Sequence, residues 1–70
     1  MNEFLGKVAE VLEVDSVVPE FEFRTVDDWD SMKGFALIVM MQRDYGKELT
    51  VAQFMDCHTV ADLARAVGIA

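Results

Sequence analysis

The stretch that most constrains this chain runs from Asp27 to Tyr45, where an acidic turn, Asp27-Asp28-Trp29-Asp30, leads into one serine and then a long apolar segment. With Asp30 as N-cap, its carboxylate accepts the backbone N–H of Met32 or Lys33, and Ser31 becomes the first helical residue. The Ser31 hydroxyl then sits where free N–H groups and the positive end of the helix macrodipole favour a phosphoryl group. A serine so placed can carry a phosphodiester. Behind it, Gly34, Leu37, Ile38, Met41 and Tyr45 share one helix face, expected to be the core face, while Met32, Phe35, Ala36 and Val39 share another. A domain this small cannot easily bury both. The second stripe is therefore either a partner surface or, if the helix is enclosed all round, more core.

Seventy residues allow one domain, 1–70, with a single small core and no separate catalytic lobe, so the chain reads as a module rather than an enzyme. A net charge of -7 argues against nucleic acid, because phosphate neutralisation needs a basic face. With 53% hydrophobic residues the chain is too apolar for intrinsic disorder, and its acidity belongs to a folded surface. Cys57 is the lone cysteine, which excludes an internal disulfide and suits a reducing compartment. The N-terminus lacks a basic region followed by a long apolar core, and the longest apolar run, Phe35 to Met41, is far short of a membrane span. A cytoplasmic monomer, with no membrane insertion, is the expectation.

Upstream, Asn2 is a plausible cap for a first helix whose apolar positions Phe4, Leu5, Val8, Val11 and Leu12 recur at helical spacing, with Glu3 and Lys7 paired on the other face and an end near Val14-Asp15. From Asp15 to Asp30 the periodicity fails around Pro19, which predicts a long loop anchored by Phe21 and Phe23. Their alternation also fits a short strand, rejected because no second strand exists to pair with it. Gly46 stops the central helix. Thr50-Val51-Ala52-Gln53 is a capping box opening a short helix through Met55, and Thr59 with Asp62 caps a last helix whose stripe is Val60, Leu63, Ala64 and Val67, stopped by Gly68. The fold class is all-α: three main helices plus one short helix, with a long first loop.

The run Trp29-Asp30-Ser31-Met32, the apolar helix ending in Gln42-Arg43-Asp44-Tyr45-Gly46, and Glu48-Leu49 after it resemble the acyl carrier protein family over nearly the whole chain. The resemblance implies a small acyl-carrier-like bundle in which Ser31 accepts a 4'-phosphopantetheine arm whose thiol holds acyl groups as thioesters. It further implies that a separate phosphopantetheinyl transferase, with Mg²⁺, modifies Ser31 from coenzyme A. Asp30 helps that enzyme bind its metal and orient the serine, while the carrier itself has no catalytic residue and no metal site. Met32 would flank the arm and meet partner enzymes, or else pack as ordinary core. Trp29 either shapes the base of the arm or, the better reading, anchors the loop. Partners are acyl-loading and acyl-processing enzymes with basic or apolar docking surfaces, contacting Trp29, Met32, Phe35, Ala36 and Val39.

Glu20, Glu22, Asp27, Asp28 and Asp30 crowd the approach to Ser31 against Arg24 and should steer basic partners there. The family pattern also has a glutamate-rich second helix. Here the corresponding positions include Lys33, Ala36, Gln42 and Arg43, which points to a specialised carrier of fatty-acid, polyketide or related biosynthesis with a more apolar docking face. Lys33 reads as solvated surface. Gly34 either leaves space for an acyl chain or marks a close helix contact. The neighbours Cys57 and His58 point about 100° apart on a helix and lack a third partner, which disfavours a nucleophile, a metal site or a minimal hydrolase. Two other readings stay open: an aminoacyl or peptidyl carrier of non-ribosomal synthesis, and an unmodified acidic interaction module.

Overall fold

Four helices organise residues 1–69, the part of the chain that the computed structural model describes: α1 (Asn2–Leu12), α2 (Ser31–Tyr45), α3 (Val51–Met55) and α4 (Val60–Ala66). A single 3-10 turn, Phe23–Thr25, lies in the long segment between α1 and α2. The fold is all-α, as the periodicities require. Its core joins Phe4, Val8, Ala9 and Leu12 of α1 to Leu37, Met40 and Met41 of α2 and to Val60, Leu63 and Ala64 of α4. Each large apolar side chain removed from water in this way contributes roughly 1.5–3 kcal/mol.

The first helix departs from expectation at both ends. Asn2 is its first helical residue, not its cap; Met1 holds the cap position without a side-chain bond. The helix stops at Leu12 because Glu13 turns left-handed, with φ 62°, while Val14 N–H reaches back to Ala9 C=O at 3.0 Å. That closing pattern normally recruits glycine. Glu13 instead uses its side chain, which receives the Lys33 ammonium at 2.7 Å. Lys7 pairs with Asp44 of α2 at 3.4 Å, across the α1–α2 contact rather than along its own helix to Glu3.

In α2 the core line runs through Gly34, Leu37, Met40 and Met41. Met40, on neither expected stripe, is 2% exposed, whereas Ile38 and Tyr45 are only half-buried. The helix is thus rotated slightly from its predicted facing, which turns Ile38 towards α3 and lays Tyr45 edge-on to Phe4 at 5.5 Å. Gly46 ends α2 in the left-handed conformation.

The long segment is anchored as predicted by Phe23, fully buried, with Phe21 half-buried. Among the described residues there is no strand. There is, however, an isolated antiparallel bridge between Glu22 and Thr59, and Val60 and Ala61 N–H donate to the carbonyls of Phe21 and Pro19 at 3.0 and 2.8 Å. The loop therefore satisfies the first donors of α4. All four residues of the predicted α4 stripe, Val60, Leu63, Ala64 and Val67, are buried.

Candidate functional site

Asp30 adopts extended backbone and its Oδ1 accepts the Lys33 N–H at 2.9 Å, capping α2 as its sequence position demands. Asp30 C=O takes the Gly34 N–H at 3.3 Å. Ser31 is the first residue of the helix and is exposed. Among the described residues no acceptor meets the N–H of Ser31 or of Met32. The first turn thus offers an exposed hydroxyl, two open donors and the positive end of a fifteen-residue helix.

A cleft of about 430 Å³ opens beside that hydroxyl, lined by Trp29, Asp30, Ser31, Gly34, Phe35, Ile38 and Arg24 on one side and by Val51, Phe54 and Met55 of α3 on the other. Gly34, which lines the cleft, lets the Trp29 and Phe54 rings come close to the α2 backbone. A methyl group there would stand 3.3 Å from the Trp29 ring and 3.4 Å from the Phe54 ring. Gly34 is thus a close contact with the Trp29 and Phe54 rings, and it also lines the cleft. Trp29 packs at 5.7 Å from the Phe23 ring, so it anchors the loop and walls the cleft at once.

The apolar stripe Met32, Phe35, Ala36 and Val39 is exposed, with Met32 at 73% and Phe35 at 65%. Reading Met32 as core is thereby excluded. Val51 and Met55, exposed on α3 across the cleft, extend the same apolar rim. Sequence reasoning did not single out these two, because a five-residue helix has too little length to show a face.

Lys33 corrects a further expectation. Its side chain is only 11% exposed and bridges Glu13 at 2.7 Å and Asp28 at 3.5 Å, so it ties the end of α1 and the acidic turn to the start of α2. The Glu13 hydrogen bond, aided by both carboxylates, holds the ammonium above its ordinary pKa. Glu13, twenty residues away, left no local signal of this bridge. Cys57 packs between α3 and α4, and burial pushes its thiol pKa up, opposite to an activated nucleophile. His58 is exposed, its N–H bound to Asp62 Oδ2, and neither residue reaches the cleft. Among the described residues no three His, Cys, Asp or Glu side chains gather as a metal site, and no helix is long and apolar enough to cross a membrane.

Compared with curated proteins and with solved structures, the sequence matches nothing. The family model described as "phosphopantetheine attachment site" matches residues 2–67. Those residues hold all four helices and the whole cleft. The chain belongs to that family, whose members are carrier domains rather than catalysts and hold 4'-phosphopantetheine covalently on a serine.

Proposed function

We propose that residues 1–70 act as one acyl carrier domain and that Ser31 is the serine that takes the arm. The observation that carries this is the start of α2, where an exposed hydroxyl stands among two open N–H donors beside an apolar cleft. The chain has one other serine, Ser16, which lies in irregular backbone with no helix start behind it. The residues fit the group: the Ser31 and Met32 N–H groups can receive phosphodiester oxygens, and the cleft can receive apolar atoms further along. When bound, the arm supplies a thiol on which acyl groups travel as thioesters.

Attachment is a phosphoryl transfer run by a separate transferase. The Ser31 hydroxyl gives its proton to a base of the transferase as its oxygen bonds to the pantetheine-bearing phosphorus of coenzyme A, the pyrophosphate P–O bond breaks, and adenosine 3',5'-bisphosphate leaves. Asp30 orients the serine by capping the helix, and its carboxylate would help hold the transferase's magnesium when the two proteins meet. In the carrier itself Lys33, locked to Glu13 and Asp28, keeps the turn in place.

Partner enzymes of fatty-acid, polyketide or related specialised biosynthesis dock on the rim formed by Met32, Phe35, Ala36 and Val39 with Val51 and Met55. That rim is apolar and carries no acid, so docking there depends on buried area more than on charge. The exposed acids Glu20, Glu22, Asp27 and Asp28 lie upstream of the helix and steer the encounter. Phe35→Ala is expected to slow acyl transfer from a cognate enzyme several-fold with little salt dependence. Transfer that is unaffected by Phe35→Ala, yet collapses with added salt, would assign docking to the acidic turn alone.

A further inference from the structure

Resting on Ser31 as the attachment point, the cleft beside it carries one feature that an apolar cargo does not need. Arg24 lines its wall, yet no carboxylate lies within ion-pair distance of it among the described residues, in a chain with thirteen acids. Its guanidinium is held in place instead by main-chain carbonyls. Nη2 donates to Phe54 C=O at 2.8 Å and Nη1 to Cys57 C=O, while the guanidinium carbon stands 4.7 Å from the Phe23 ring centroid and 5.0 Å from that of Phe54. These bonds fix the group without neutralising it. The Nε–H and one Nη1–H find no protein acceptor among the described residues.

A half-buried cation laid against two touching rings, with donors left over and no counter-charge beside it, keeps its positive charge at the cleft wall, where an anion can complete it. The other charged group on the cleft, Asp30, is already engaged as the α2 cap. The remaining lining, Trp29, Gly34, Phe35, Ile38, Val51, Phe54 and Met55, is apolar apart from the Ser31 hydroxyl. We propose that Arg24 is a specificity-determining residue, and that the cleft selects acyl chains ending in a carboxylate over plain alkyl chains of equal length. The methylenes lie against the aromatic wall while the carboxylate meets the spare guanidinium donors, a charge-assisted contact about twice as strong as a neutral hydrogen bond.

The test loads the full chain, through a broad-specificity transferase, with amide-linked coenzyme A analogues whose pantetheine ends bear heptanoyl or adipoyl chains, which match in length. The adipoyl end carries a ¹³C label. The expected result is a terminal carboxyl pKa about one unit below that of the same analogue free in solution, the sign an adjacent cation imposes. The Arg24 Nε–H resonance should move with adipoyl and stay unmoved with heptanoyl, and Arg24→Gln should restore the free pKa. Because the heptanoyl and adipoyl comparison uses only the wild-type chain, it holds even if Arg24→Gln fails to fold. An unshifted carboxyl pKa, with both chains perturbing the same resonances, would overturn the proposal and leave Arg24 as a cap of α3. So would an Arg24 shift already complete in the cargo-free modified protein, which would assign the cation to the arm's own phosphodiester. A failure to load, visible in the intact mass before any titration, would overturn the attachment reading itself.

Discussion

The starts of α2 and α4 are built from the same chemistry and finished differently. At α4 every early donor is used: Val60 and Ala61 N–H go to the loop carbonyls of Phe21 and Pro19, and Asp62 N–H goes to Thr59 Oγ1. The Asp62 carboxylate returns the favour by accepting the N–H of His58 and of Thr59. At α2 Asp30 caps Lys33 and Gly34, and the donors of Ser31 and Met32 stay open beside an exposed hydroxyl. A closed helix start holds the bundle together. An open one keeps its dipole and donors available for an anion. Damage at α4 should therefore appear as lost stability, and damage at α2 as lost modification.

The largest expected effect is Leu63→Ala. Leu63 is fully buried on α4, and its truncation should cost about 2–5 kcal/mol, a large part of the stability a domain this size possesses. Urea unfolding would read the loss, and any fraction still folded should accept the arm at the wild-type rate. Next comes Thr59→Ala, which removes one half of the α4 capping box and should cost about 1 kcal/mol in the same assay, again without slowing modification. A loss of modification by either folded variant would break the comparison.

The Asp62 carboxyl sharpens it through pH. Hydrogen bonds from His58 and Thr59 N–H, with Arg65 nearby, hold its pKa below the ordinary 3.8. Its contribution is therefore complete above that value and is lost as pH falls through the lower folded value. Urea midpoints measured between pH 7 and pH 3 should fall more steeply for wild type than for Asp62→Asn at the acidic end. Equal slopes would show that the α4 cap does not bear on acid stability. The smallest change in stability belongs to the open side. Phe35→Ala should stay within about 0.5 kcal/mol of wild type, because that ring is 65% exposed.

Much of this contrast was legible in the sequence, and the reason is distance along the chain. Asp30 with Lys33, Thr50 with Gln53 and Thr59 with Asp62 are caps made within three residues, so their chemistry shows in short motifs. The α4 stripe follows from helical period, while for α2 the period groups Met32, Phe35, Ala36 and Val39 on one face without deciding that this face is exposed. What stayed hidden joins distant parts. Lys33 reaches Glu13 twenty residues away, Arg24 reaches the Phe54 and Cys57 carbonyls thirty or more residues on, and Pro19 and Phe21 close the start of α4. None of these leaves a period or a motif, and each bears on the site: one locks the acidic turn, one lines the cleft, one seals the competing helix start. Met40 was missed for a simpler reason, since in a helix apolar nearly all round several facings fit the pattern equally well.

The most direct test of the central claim is intact mass after incubation with coenzyme A, Mg²⁺ and a broad-specificity phosphopantetheinyl transferase, run on wild type, Ser16→Ala and Ser31→Ala. Wild type and Ser16→Ala should each gain one phosphopantetheinyl group, and folded Ser31→Ala none. A gain that survives Ser31→Ala and vanishes in Ser16→Ala, or no gain in any folded chain with several transferases, would contradict the claim.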